Sequence, residues 1–122
     1  MTIPILKQGR TLIVSLQAEP TDAEFVDLQR DLTYRVAETH AQGVLIDVTA
    51  LDVLDSFATR TLREMAQTVT LCGARAAIVG VQPEVAFAMA QLGLTLEGTL
   101  TALDLEDGMA LLHAPPRDSL VT

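Results

Sequence analysis

The strongest constraint on the fold is an apolar run at positions 44–48, Val-Leu-Ile-Asp-Val, which has the length of a strand and the continuity of one buried on both faces. A second run of this kind covers residues 76–81. Between the two runs, apolar side chains recur at helical spacing until Gly73 ends the pattern. The recurring residues are Ala58, Leu62, Met65, Val69 and Cys72. Buried strands that alternate with amphipathic helices predict an α/β fold with a mostly parallel sheet.

An opening hairpin and a first helix are predicted ahead of this core. Residues 3–7 and 11–16 are short runs with β-branched side chains, and the turn-forming residues 8–10, Gln-Gly-Arg, separate them. Thr21 and Glu24 have the spacing of a capping box, which marks a helix start. The helix is expected to run to about residue 40, with a buried face formed by Phe25, Leu28, Leu32 and Val36.

The remaining elements complete the alternation. Pro83 suits the first turn of a third helix, and Gly93 ends it after a predicted apolar face of Val85, Met89 and Leu92. A short strand is predicted at 94–97 and a last helix at 104–112. The predicted fold class is therefore α/β, with a mixed, mostly parallel central sheet, an N-terminal β-hairpin and about four helices.

The length of 122 residues suits one domain, which we place at residues 1–113, followed by a flexible C-terminal tail at 114–122. A chain of this size can bury a core without a metal or a disulfide. It has one cysteine, Cys72, which cannot form an internal bridge and favours a reducing compartment.

The charge balance excludes two classes of partner. A net charge of −8 and a pI near 4.5 disfavour binding to nucleic acid or to anionic membranes. The sequence has no signal-peptide pattern and no apolar run of about 20 residues, so we expect a cytoplasmic protein. Its 49% hydrophobic residues and mean hydropathy of +0.34 are high for so small a domain, and they predict that other subunits cover part of its surface.

The segment 47–57 is the main candidate site, because it leaves the carboxyl end of a central strand and enters a helix. One interpretation is structural: Asp55 or Ser56 is the N-cap of that helix. The other is that Ser56 accepts a phosphate, which the positive end of the helix would favour and which the carboxylates of Asp52 and Asp55 would oppose. Thr59, about one helical turn further on, is a secondary candidate acceptor, although a solvated or back-bonded threonine is the commoner case in a helix.

Signals for catalysis are missing from the sequence. Neither His40 nor His113 has metal-ligand spacing to a second His or Cys. Asp47 ends a strand as in a response-regulator receiver, but the acidic pair that would hold Mg²⁺ is missing. The sequence contains no G-x-G-x-x-G, Walker-type or G-x-S-x-G motif. We therefore expect a protein that is not an enzyme and that needs no cofactor or metal.

Several motifs together resemble the STAS domain family of anti-sigma factor antagonists. They are Ile-Asp-Val-Thr at 46–49, Leu-Asp-Ser-Phe at 54–57, Cys-Gly-Ala-Arg at 72–75 and Gly-Val-Gln-Pro-Glu-Val-Ala at 80–86. Within that family, residues 3–7 and 101–108 are most similar to the small scaffold subunits of the bacterial stressosome, the RsbS type. The resemblance spans nearly the whole chain.

The resemblance implies a STAS fold and a scaffold role. It implies assembly with RsbR-type STAS paralogues and sequestration of an RsbT-type serine/threonine kinase. Phosphorylation of Ser56 would release this kinase, and an RsbX-type phosphatase would reset the system. The implied partner-binding surface comprises Asp52, Asp55, Ser56 and Phe57. RsbR-type paralogues carry an N-terminal sensory domain and a second phosphoacceptor threonine, whereas the matching residues 83–89 have no hydroxyl, so we expect the one-site scaffold role.

Two alternatives remain open at the level of sequence. Within the family, the chain could be a simple anti-anti-sigma factor that binds an anti-sigma kinase directly. Outside it, the chain could be a small ligand-binding or enzymatic α/β domain that uses the crevice near Asp47.

Overall fold

The computed structural model describes residues 3–96 and 98–113, which form five strands and four helices in the predicted order. After an opening hairpin, strands and helices alternate to the end of the described chain. The elements are β1 Ile5–Gln8, β2 Thr11–Ser15, α1 Asp22–Thr39, β3 Gly43–Asp47, α2 Ser56–Leu71, β4 Arg75–Val79, α3 Pro83–Gln91, β5 Leu100–Ala102 and α4 Leu105–His113. The predicted tail at 114–122 lies outside the described residues.

The five strands form one mixed sheet in the order β1-β2-β3-β4-β5. β1 pairs with β2 in antiparallel fashion, and the other pairings are parallel. Gly9 has φ +61° in the turn between β1 and β2, a conformation that glycine adopts without strain. This confirms the predicted hairpin and mostly parallel sheet.

Helix α1 begins with the capping box that the sequence predicts. The Thr21 side chain accepts from the Glu24 backbone N–H at 3.1 Å, and the Glu24 carboxylate accepts from the Thr21 backbone N–H at 2.9 Å. The hydrogen bond from that backbone N–H lowers the pKa of the Glu24 carboxyl below its ordinary value. The helix ends at Thr39, and His40 adopts a left-handed conformation after it.

The main core lies between one face of the sheet and helices α1, α2 and α3. All four predicted face residues of α1 are buried, and so are the first four of α2. The predictions for Cys72 and Leu92 are wrong, because Cys72 is exposed and Leu92 is 70% exposed. Both are C-cap residues, at which the helix has already ended.

Helix α4 covers the other face of the sheet, over Leu45, Ala77 and Val79. Gly108 allows the close approach of helix and sheet. A Cβ atom at this position would lie 2.5 Å from Val79 Cγ1, which is closer than real Cβ contacts, and 3.1 Å from Leu45 Cδ2, which is a tight contact. A smaller apolar cluster therefore holds this second layer.

The prediction of a strand at 94–97 is wrong, since the fifth strand is Leu100–Ala102 and pairs with β4. Leu94 and Leu96 are irregular in backbone, yet they pack against the main core. Arg63 supports this connection by donating from Nη1 to the Thr95 carbonyl at 3.1 Å. The apolar pattern thus reflects burial of a loop and not strand pairing.

Candidate functional site

The start of α2 is built around Asp55. Its backbone is extended, and its carboxylate Oδ1 accepts a hydrogen bond from the Ala58 backbone N–H at 2.8 Å. Its carbonyl accepts from the Thr59 N–H at 2.9 Å, which is the first intrahelical bond. Of the two N-cap candidates, Asp55 is the cap and Ser56 is the first helical residue.

Ser56 is exposed, and its hydroxyl makes no hydrogen bond to any described residue. The backbone N–H groups of Ser56 and Phe57 belong to the first turn, where a helix has no internal acceptors for its donors. These amides form the positive end of a 16-residue helix. The Ser56 hydroxyl is therefore open to an enzyme and sits where a negative charge is tolerated.

The surroundings of Ser56 combine carboxylates with apolar side chains. Asp52 and Asp55 are exposed, Val53 is 55% exposed, and Phe57 is half-buried with its ring against the main core. A small cavity of about 40 Å³ lies among Asp55, Phe57 and the loop between β2 and α1. That loop contributes Glu19 and Pro20 to its lining, and Asp22, the first residue of α1, lines it as well.

Sequence analysis missed the contribution of Glu19 and Asp22. They lie more than 30 residues before Ser56, and the parallel pairing of β2 with β3 brings the two loops to the same edge of the sheet. The strand order could have supplied the signal, because the carboxyl ends of neighbouring parallel strands meet at one edge. The surface beside Asp55 and Phe57 is therefore more acidic than the segment 47–57 alone indicates.

Thr59 lies three residues beyond Ser56 but faces the protein interior. It is 1% exposed, and its Oγ1 has no hydrogen-bond partner within residues 3–96 and 98–113. A kinase cannot reach this hydroxyl without opening the helix. The burial of Thr59 counts against its expected role as a secondary acceptor, because the apolar face of α2 extends to this position.

The carboxylate of Asp47 forms its hydrogen bonds within the loop that follows β3. Asp47 Oδ1 accepts from the Thr49 backbone N–H at 2.9 Å and from the Thr49 hydroxyl at 2.5 Å. The Gln82 side-chain amide donates to the Thr49 carbonyl, which ties the loop after β3 to the loop after β4. Gly80 has φ +83°, and a Cβ there would collide with Thr49 Oγ1. The carboxylate of Asp47 is thus engaged within the chain, which weighs against a ligand site at this position.

Residues 3–96 and 98–113 contain no group of three or more His, Cys, Asp or Glu side chains placed to hold a metal ion. Among these same residues, no helix has both the length and the apolar character to cross a bilayer.

Comparison with known proteins decides the family. The STAS domain family model matches residues 2–107. The chain belongs to the STAS domain family. RsbS of Moorella thermoacetica, in a variant with one serine replaced by glutamate, is 33% identical to this STAS domain, with a TM-score of 0.78. The alignment covers 90% of this chain and 93% of that RsbS chain.

This STAS domain is also similar to two further proteins. A chain from a structure of the stressosome, described there as a signal integration and transduction hub, is 33% identical with a TM-score of 0.74, over 89% of this chain and 95% of that one. The RsbT co-antagonist protein RsbRA of Bacillus subtilis is 29% identical over 82 residues, which are 67% of this chain. The match spans 30% of RsbRA. The expected STAS fold and the similarity to the RsbS type are confirmed.

Proposed function

We propose that this STAS domain is a non-enzymatic stressosome scaffold that binds an RsbT-type serine/threonine kinase and releases it when Ser56 is phosphorylated. The observation that carries the proposal is that capping of α2 and the candidate phosphorylation site belong to two different residues. Asp55 is the N-cap, so the exposed Ser56 hydroxyl has no structural task. Adding a phosphate there removes no hydrogen bond that the fold uses.

The effect of the phosphate follows from the sizes of two opposing terms. A phosphoserine adds a charge of about −1.5 to −2 at neutral pH. An exposed charge at a helix N-terminus gains about 0.3 to 1 kcal/mol, so the fold tolerates the modification. A phosphate that is buried against a partner loses its hydration, and this desolvation costs several kcal/mol per ion. Phosphorylation is therefore expected to weaken binding while the domain stays folded.

The proposed kinase-binding surface comprises Asp52, Asp55, Ser56 and Phe57, together with the neighbouring carboxylates of Glu19 and Asp22. The carboxylates and the apolar ring of Phe57 suit a partner with basic side chains around an apolar contact. A new phosphate in the middle of this acidic surface would repel neighbouring carboxylates and occupy the space of the contact.

The other proposed partners follow from the relatives. We propose assembly with RsbR-type STAS paralogues and with further copies of this chain, and dephosphorylation by an RsbX-type phosphatase, in the cytoplasm. The supporting observations are the similarity to RsbS and to a stressosome chain, each over at least 89% of this STAS domain. Residues 83–89 contain no hydroxyl group, which supports a role with a single phosphoacceptor.

The experiment that tests the proposal uses the purified chain and an RsbT-type kinase. Phosphopeptide mapping is expected to find phosphate on Ser56 and none in Ser56→Ala, which keeps the kinase bound in the presence of ATP. Thr70→Ala is the control, since it removes a hydroxyl at the far end of the same helix, where that hydroxyl donates to the Ala66 carbonyl at 2.7 Å. Ser56→Asp adds about one charge and is expected to release the kinase partially; a tenfold weaker affinity corresponds to about 1.4 kcal/mol.

Two results would contradict the proposal. Unchanged phosphorylation of Ser56→Ala would remove the site assignment, and equal kinase affinity of the wild type and Ser56→Asp would remove the release mechanism. The alternative of a simple anti-anti-sigma factor is separated by particle size. A stressosome scaffold mixed with its RsbR-type paralogue forms megadalton-scale particles, whereas a direct antagonist stays small.

A further inference from the structure

Arg60 lies one helical turn after Ser56 on the exposed side of α2. Both residues are exposed, and they are separated by four positions within the same helix. Side chains at positions i and i+4 are neighbours on a helix surface, with Cβ atoms about 5–6 Å apart. The long side chain of Arg60 can therefore reach a group attached to the Ser56 oxygen.

The guanidinium of Arg60 is available to bind a new group. It makes no ion pair and no hydrogen bond with any residue in 3–96 or 98–113. Two other arginines are engaged: Arg63 donates to the Thr95 carbonyl, and Arg75 Nη1 lies 3.5 Å from the Leu112 carbonyl. Arg60 thus differs from its helical neighbour Arg63 in having no structural task.

We propose that Arg60 is the residue that holds the phosphate on Ser56. An acid that precedes a base by four positions is the favourable order for an ion pair on a helix. A planar guanidinium binds two phosphate oxygens at once, with stronger hydrogen bonds than neutral donors give. The inference rests on the proposed function, because it assigns a partner to the phosphate that the proposed kinase adds.

The ion pair would fix both the charge state and the position of the phosphate. Arg60 would favour the dianion of phosphoserine over the monoanion, so the phosphate would keep its full charge near neutral pH. It would also draw the phosphate along α2 and away from the carboxylate of Asp55, which caps the helix. The modified site would then be fixed in one position on the surface that faces the kinase.

Glu64 is the competing partner for Arg60. It is exposed and lies four positions further along α2. The two side chains form no ion pair with each other in the unmodified protein. A doubly charged phosphate attracts the guanidinium more strongly than one carboxylate does. We therefore expect Arg60 to pair with the phosphate on Ser56 and not with Glu64.

The test introduces phosphoserine at position 56 during synthesis of the full chain, so that its result does not depend on any kinase. A ³¹P NMR titration is expected to give a second phosphate pKa below the usual value of about 6 in the otherwise wild-type chain. Arg60→Gln is expected to raise this pKa, and Arg60→Lys to leave it in between. Arg30→Gln is the control, since it removes an exposed arginine from α1. Equal pKa values in the Arg60→Gln and Arg30→Gln chains would overturn the inference.

A second measurement separates this role from kinase docking. The unphosphorylated Arg60→Gln chain is expected to bind an RsbT-type kinase within about twofold of the wild-type affinity, because no phosphate is present to be held. A tenfold loss would assign Arg60 to the kinase contact and overturn its assignment to the phosphate. If the kinase fails to bind any chain, the proposed function fails, while the NMR result still decides the role of Arg60.

Discussion

At the scale of single residues, Asp55 is the N-cap of α2 and Ser56 is the candidate phosphate acceptor. The sequence alone could not assign these two roles to the two residues. Asp55→Ala removes the hydrogen bond to the Ala58 N–H, and such a loss of a cap costs about 1 kcal/mol, within a range of about 0.5 to 2. Asp52→Ala is the matched control. It removes an exposed carboxylate with no hydrogen bond to the described residues, so its effect should stay within about 0.5 kcal/mol. Urea unfolding of the three proteins measures both values.

The outcome for Asp55 bears directly on Ser56. If Asp55→Ala left the free energy of unfolding unchanged, the Ser56 hydroxyl could be supplying the cap instead. A phosphate on Ser56 would then disturb α2 itself, and the proposed separation of switch from fold would be wrong. A loss of about 1 kcal/mol supports the separation.

Sequence predicted the position of Ser56 well because the end of a buried strand and a helix start are both local signals. It could not predict the burial of Thr59, since a threonine suits either the surface or the edge of an apolar face. The link from Gln82 to the Thr49 carbonyl joins residues 33 positions apart. Such a contact depends on the packed loops at the sheet edge and leaves no local pattern.

At the scale of elements, α4 illustrates a conflict between helix propensity and packing. In a helix, alanine is favoured over glycine by about 1 kcal/mol, so Gly108→Ala would stabilise an isolated α4. In the protein, the added methyl would lie 2.5 Å from Val79 Cγ1, and overpacking of this kind costs about 1 to 3 kcal/mol. Packing should prevail, so we expect Gly108→Ala to lower the free energy of unfolding.

Ala110→Gly in the same helix is the control for this prediction. Ala110 is exposed, so the change should cost only the propensity difference of about 1 kcal/mol. Thermal unfolding of the two variants compares the packing cost at position 108 with the propensity cost at position 110. A gain in stability for Gly108→Ala would show that α4 can move away from the sheet at little cost.

Elements with a capping signal and a long apolar face were predicted correctly, as α1 shows from Thr21 to His40. The fifth strand was misplaced because Leu94 and Leu96 imitate an alternating strand while packing on the core as a loop. The true strand, Leu100–Ala102, has only three residues, none of them buried. Its identity comes from pairing with β4, which is a long-range property.

At the scale of the whole molecule, the excess of apolar residues is concentrated partly on α3. The chain carries a net charge of −8, yet residues 85–96 contain no charged side chain. Phe87 is 67% exposed and Leu92 is 70% exposed on this segment, while Val85 and Met89 are the buried residues of α3. Sequence composition predicted a covered apolar surface but could not locate it, because exposure depends on how each helix is rotated against the sheet.

This surface is where copies of an acidic chain, or its paralogue, can meet without bringing like charges together. Elsewhere, two surfaces of the same negative sign repel each other at the ionic strength of the cell over about 8 Å. Apart from Glu84 in its first turn, α3 carries no charged side chain, which reduces that cost. Burying Phe87, an aromatic side chain of the kind that dominates interfaces, would favour the contact. We therefore expect α3 to contribute to the proposed self-association.

Replacing Phe87 with glutamate should weaken that association. The change removes an exposed ring and places a charge in a contact that excludes water, so the midpoint concentration for assembly should rise at least tenfold, as for a loss of about 1.4 kcal/mol. Tyr34→Glu is the control, because it makes a similar aromatic-to-acid change on α1, where the side chain is 63% exposed. Both substitutions lie on helix surfaces and should leave the unfolding free energy nearly unchanged. Light scattering over a concentration series compares the variants; an equal effect of both would indicate that added negative charge weakens assembly wherever it is placed, and would remove α3 from the contact.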